Sequence, residues 1–232
     1  MTTQTVGEEG FRWFIGKVED RNDPLKQGRV RIRIYNIHGN PVEVPTEDLP
    51  WATILMPGYS ASLKQVGVSP TGIQVESTVI GFFLDGNETT MPLIIGVMPG
   101  QGDVSELARE NMTINKQRVD PGGSTQSFRE PESAYQSKYP YNKVFQSESG
   151  HVFEVDDTPN FERIHTYHRS GTYAEIDQNG RKVEKIIGDD FEIVMKNKTV
   201  YIKGNVNIKV DGTYTVESKG NMRFKAPRID LN

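Results

Sequence analysis

Between Phe11 and Gly100 apolar and polar positions alternate in short runs broken by turn residues, with no sustained helical period. In "RVRIRIYNIHG" the alternation is strict: Val30, Ile32 and Ile34 share one face and Arg29, Arg31 and Arg33 the other, which predicts a half-buried strand. "FRWFIGKVED" precedes it across the turn "RNDPLKQG". "WATILMP", "STVIGFFLDGNE" and "MPLIIGVM" follow, the last two joined through "DGNETT", whose Asp-Gly is a hairpin signal. Five short strands over residues 11–100 predict a small closed or nearly closed barrel, for which the OB-fold is the five-stranded solution. Residues 1–10 are a short tail.

Residues 101–147 change character, being rich in Gln, Ser, Pro and charge with sparse aromatics. One short helix near Val104 to Arg109 fits, but no core does, so this stretch reads as an extended linker lying on something else. Strands resume at Glu148, with "GHVFEVDDTPN", "FERIHTYHRSG" and "TYAEIDQNG" forming a neck over residues 148–179.

From Gly180 the chain falls into rows of eight: GRKVEKII, GDDFEIVM, KNKTVYIK, GNVNIKVD, GTYTVESK and GNMRFKAP. Five of the six rows open with glycine, including Gly188, Gly204, Gly212 and Gly220, and these are expected corners where glycine accepts positive φ. In the last four rows the third, fifth and seventh places lie on one strand face by parity. They hold Val200 and Ile202, then Val206, Ile208 and Val210, then Tyr214 and Val216, then Met222, Phe224 and Ala226, interrupted by Lys198 and Ser218. A fixed period of this kind predicts a repeat architecture. A one-chain antiparallel meander is the alternative, since Gly-Asn pairs also suit hairpins, but it would expose a contiguous apolar face. Three identical chains turning their stripes to a common axis would bury the rows and hide the strand edges. The all-β reading is therefore an OB-fold barrel, an extended linker, and an intertwined trimeric β-helix with octapeptide repeats over residues 180–232.

Composition narrows the function. A net charge of −4 and an absence of cysteine argue against whole-molecule affinity for nucleic acid or anionic membrane and remove disulfides and cysteine-based zinc sites. The start "MTTQTVGEEG" lacks the features of a secretory signal, so folding in a cytoplasm is expected.

Candidate chemistry is thin. Glu154, Asp156 and Asp157 read as solvated strand and turn, with no accompanying sugar cleft or calcium loop. His165 and His168, three apart, point to opposite faces of a strand and cannot chelate together within one chain, which leaves one histidine per chain at a three-fold axis as the remaining metal arrangement. The stripe Arg29, Arg31 and Arg33, with Tyr35, is the best nucleic-acid candidate, since OB-folds bind through such faces. The acidic balance and scattered aromatics favour a protein-facing role, contacting a neighbouring subunit or hub. No phosphate loop, nucleophile elbow or metalloprotease motif is present, and "DPGGS" lacks the strand and helix that would frame it; no enzyme activity and no cofactor are expected.

The tail carries a valine-x-glycine look in "IIG" at Ile186 to Gly188, "IKG" at Ile202 to Gly204 and "VDG" at Val210 to Gly212. Together with the neck sequence and with "GRVRIRI", "LPWATILMP" and "MPLIIGV" upstream, this resembles the central spike family of contractile tails. That family includes the baseplate spike of T4-like phages and the valine-glycine-repeat spike of type VI secretion systems. The resemblance covers residues 11–100 and 141–232, in the family's order. It implies a homotrimeric needle in a phage virion, assembled in the host cytoplasm and driven through the host envelope on sheath contraction. Its OB domains would seat on a tail hub, with Arg29, Arg31 and Arg33 as candidate contacts. The C-terminal end would carry a small tip protein on Arg228, Ile229, Asp230 and Leu231. No nucleic acid is expected as a partner.

Two features depart from the family. The 47-residue linker cannot hold the lysozyme domain that some members carry between barrel and β-helix. Six rows advancing about 4.8 Å each make a shaft of only about 30 Å, no longer than a bilayer core, which favours a tip partner. A type VI-like spike and a monomeric OB-fold nucleic-acid binder are the rival readings.

Overall fold

The computed structural model describes residues 10–64, 66–99 and 131–230, so the tail, the helix expected near Val104 to Arg109, most of the linker and Leu231 lie outside the described residues. The chain divides into two units, residues 1–188 and 189–232.

The first unit opens with the closed barrel. Strands β1 (Trp13–Asp20), β2 (Val30–Ile34), β3 (Trp51–Ile54), β4 (Thr78–Phe83) and β5 (Pro92–Met98) close in the order β1-β2-β3-β5-β4. All pairings are antiparallel except β3 with β5, which run parallel and seal the barrel. The strict alternation at β2 places Val30, Ile32 and Ile34 in the core with Phe14, Val18, Ala52, Val79, Phe83 and Ile94. Between β4 and β5 the expected turn forms, and Asp85 ties it by accepting from the backbone N–H groups of Thr90 (2.7 Å) and Met91 (3.1 Å).

A second sheet follows, an antiparallel meander of β6 (Asn142–Gln146), β7 (Val152–Asp156), β8 (Arg163–Tyr167), β9 (Tyr173–Ile176) and β10 (Lys182–Lys185), in the order β10-β9-β8-β7-β6. Its ends depart from the sequence reading. β6 lies inside the stretch read as linker, because its five residues carry too little apolar alternation to stand out and acquire their register from β7. The first octad, from Gly180, forms β10 paired with β9, so it belongs to this meander and not to the repeat region. Glu148 tethers the sheet to the barrel, accepting from Arg21 (2.7 and 2.8 Å) and from Gln74 (2.6 Å).

The second unit has no hydrogen-bonded strand among its described residues, and every residue from Asp189 to Asp230 is exposed. Bends nevertheless recur at 187–188, 195–196, 203–204, 211–212, 219–220 and 227, an interval of eight that coincides with the row openings. The one-chain meander does not form. Gly188, Gly204, Gly212 and Gly220 sit at these bends without positive φ, contrary to expectation, and a Cβ added at any of them would meet nothing in its own chain. The bend is therefore open to L residues, which is why Lys196 can open a row.

Gly81 is the tightest backbone approach in the barrel. It stands at the β4–β5 register shift, where an added Cβ would lie 2.0 Å from the Leu93 carbonyl oxygen and 2.7 Å from the Phe14 ring. Gly81→Ala is expected to lower barrel stability by about 2 kcal/mol, the cost of overpacking a site whose neighbour is backbone; the thermal midpoint of the purified variant measures it.

Candidate functional site

The three arginines of β2 do not form a free stripe. Arg29 donates to both carboxylate oxygens of Asp23 (2.7 and 3.2 Å). That guanidinium, assisted by the backbone N–H groups of Leu25, Gln27 and Arg29, holds the Asp23 carboxyl far below the usual carboxylate range. Arg31 lies over the Trp51 ring at 4.7 Å and donates to the carbonyls of Thr46 (3.3 Å), Glu47 and Leu49 (2.7 Å). Arg33, nearly buried, pairs with Glu19 (2.6 and 3.0 Å) and donates to the carbonyls of Gly39 and Val44, both at 2.8 Å. The Arg33 pair is the chief reason the Glu19 carboxyl is shifted below its ordinary value. Parity correctly turned these side chains away from the barrel core. What it could not show is the loop 39–49 that folds beneath them and uses up their donors.

The open barrel surface is apolar instead. On the outward side of β1, Phe11, Trp13 and Ile15 are exposed, and Phe82 of the neighbouring strand meets Phe11 and Trp13 at ring distances of 4.6 and 5.4 Å.

The second sheet reverses the usual distribution. One face presents exposed Phe145, Phe153, Ile164 and Ile176, with Phe145 opposite Phe153 and Ile164 opposite Ile176. The other face carries Glu154, Asp156, Arg163, His165 and Glu175, all buried. The solvated role expected for Glu154 and Asp156 is thus corrected. Arg163, with no exposed side-chain surface, sits between Glu154 (2.7 Å) and Glu175 (2.9 Å), while His165 Nδ1 lies 3.3 Å from Glu175.

The described end of the linker covers this face. Ser133 Oγ and the Ala134 N–H donate to Glu175 (2.8 and 3.1 Å), the Tyr135 ring lies 4.8 Å below the Arg163 guanidinium, and Ser137 Oγ bonds Asp156. The Lys138 N–H reaches Thr158 Oγ1 at 3.0 Å. Burial would push the Glu175 carboxyl up, but the hydrogen bonds from His165, Arg163, Ser133 and Ala134 outweigh it and hold it at about 2. Opposite charges at matching parity on β7, β8 and β9 were the sequence signal for this cluster. Its cover is a polar strap with no pattern of its own.

His165 and His168 fall on opposite faces, as their spacing predicts: His165 is buried under the strap and His168 is exposed. In the second unit the stripe residues Val200, Ile202, Val206, Ile208, Val210, Tyr214, Val216, Met222 and Phe224 are all exposed in the single chain. Arg228, Ile229 and Asp230 are exposed too, with Arg228 paired to Asp230 at 2.7 Å. Among the described residues no group of three or more metal-ligating side chains converges, and no helix is long and apolar enough to cross a membrane.

A closed five-stranded barrel, a following meander and an octad tail are matched by known proteins. The family model for the Gp5 N-terminal OB domain fits residues 35–164, which runs from the barrel into β8. Protein Gp5 of Vibrio phage KVP40 is 33% identical over 284 aligned residues, covering 94% of this chain and 67% of that protein. The chain belongs to the Gp5 family.

The pre-baseplate central spike protein Gp5 of Enterobacteria phage T4 is another relative, 42% identical over 96 residues, or 39% of this chain and 16% of that protein. The match to the Gp5 OB-domain model agrees with the barrel, while the buried Arg163 cluster and its strap are features read from this chain alone.

Two outcomes follow from this geometry. Arg33→Ala leaves Glu19 without its partner and is expected to destabilise the barrel by about 3 kcal/mol, read by denaturant unfolding. Because the folded pKa of Glu175 is depressed to about 2, its contribution is complete above the ordinary glutamate value near 4.5 and is lost as pH falls through about 2. Hydrogen exchange in residues 133–138 should therefore rise progressively between about pH 4.5 and 2, and Glu175→Gln should make it fast already at neutral pH.

Proposed function

We propose that this chain is a structural, non-enzymatic central spike of a phage tail baseplate: a homotrimeric needle, seated on a tail hub, that pierces the host envelope when the sheath contracts. Membership of a family whose T4 relative is named a pre-baseplate central spike protein supports the baseplate role. The trimer rests on one observation. Forty-two consecutive residues, Asp189 to Asp230, bend every eight residues yet make no ladder and expose their whole apolar stripe. Backbone groups without partners and a stripe of Val, Ile, Tyr and Phe need covering, and two further copies supply both. The apolar face of the second sheet, from Phe145 to Ile176, is a further surface for the same copies. Each strand row would then be hydrogen-bonded to another chain, so axial load is shared among many ladders and no subunit unravels alone.

The hub contact is placed on the apolar patch of Phe11, Trp13, Ile15 and Phe82, since Arg29, Arg31 and Arg33 are engaged within the chain. The C-terminal residues Arg228 to Leu231 are assigned to the tip partner.

Light scattering is expected to give three times the chain mass of 26.1 kDa, stable in mild detergent. Ile208→Asp would gather three unpaired charges at the axis and reduce that species to monomer. A wild-type monomer, or an unchanged Ile208→Asp oligomer, would sink the trimeric shaft.

A further inference from the structure

We infer that His151 and His168 form a two-histidine site for a divalent transition-metal ion across strands β7 and β8. Val152 pairs directly with Tyr167, so the next register step sets His151 opposite His168. The flanking Val152 turns to the buried face, and both histidines therefore fall on the opposite one. Their rings stand 4.4 Å apart, centroid to centroid.

The hydrogen bonds leave the right atoms free. His168 Nδ1 lies 2.8 Å from Ser170 Oγ, and His151 Nδ1 receives only a long contact, 3.4 Å, from the Arg169 N–H. Neither Nε2 has a hydrogen bond among the described residues. Two nitrogen donors on one tetrahedral zinc lie roughly 3.3 Å apart, a spacing that two rings at this separation reach by small side-chain rotations. Metal on Nε2 requires the proton on Nδ1, and Ser170 Oγ is placed to accept it from His168, the outer hydrogen bond that orients a ligating imidazole. No third side chain converges among the described residues, so water fills the remaining positions. Imidazole donors with open positions suit Zn2+, Ni2+ or Cu2+ over the hard cations.

This differs from a site at His165, which is buried beneath the strap against Glu175, and from His38, whose Nδ1 accepts the Ile34 N–H at 3.0 Å. The four histidines of the chain are thereby separable by substitution. It stands independently of the trimer proposal.

The experiment is calorimetric titration of the untagged full chain with Zn2+ near neutral pH, with mass and far-ultraviolet dichroism recorded for each variant. One ion per chain is expected, lost in both His151→Ala and His168→Ala, weakened roughly tenfold in Ser170→Ala and unchanged in His38→Ala. Absence of binding by the wild type overturns the inference. So does retention of wild-type binding in either His151→Ala or His168→Ala, or its loss in a folded His38→Ala.

Discussion

An arginine with no exposed side-chain surface, held between Glu154 and Glu175, decides how the second sheet can be used. A buried guanidinium is tolerable only with both partners in place and well oriented. Those partners come from β7 and β9 on either side of β8, so the three central strands are fixed in register by charge as well as by their ladders. The strap from Ser133 to Lys138 completes the cluster, supplying donors to Glu175 and Asp156 that water would otherwise provide. With the polar face filled from within the chain, the apolar face of Phe145, Phe153, Ile164 and Ile176 is the one left to meet something else. The usual arrangement, an apolar core and a wet exterior, is reversed in this sheet, as suits a surface whose apolar partner is supplied by assembly.

The barrel handles its charges differently. Arg31 and Arg33 spend their donors on carbonyls of residues 39–49, converting a long connection into a fixed layer over β2. The surface chemistry left to the barrel is aromatic, around Trp13 and Phe82, so two successive modules both offer apolar faces while their arginines work internally.

The sequence made the strands and the octads legible because both are periodicities. Alternation at Val30, Ile32 and Ile34 named a core that the barrel confirms, and rows of eight marked bends that recur at that spacing. Where the reading failed, long-range cover was responsible. Glu154 and Asp156 looked solvated because the strap above them is Ser-, Gln- and Tyr-containing and carries no pattern. Arg33 looked free because parity reports the face of a strand and not what folds onto that face. The glycines at the row openings were assigned a backbone role that the bends at Gly204 and Gly212 do not require. Their want of a side chain is instead a matter of space for neighbouring chains in the proposed shaft.

The unequal sizes along the octad stripe bear on alignment between copies. A one-residue slip would turn the apolar positions outward, and a two-residue slip would keep the face but carry the bends into the straight segments. A slip of a whole row is the smallest displacement that preserves both. It would set Tyr214 and Phe224 against layers built from Val206, Ile208 and Val210, too crowded in one layer and too empty in the next. Uneven layers in an otherwise uniform repeat thus act as a vernier, giving three identical strands a single setting at which every layer fits.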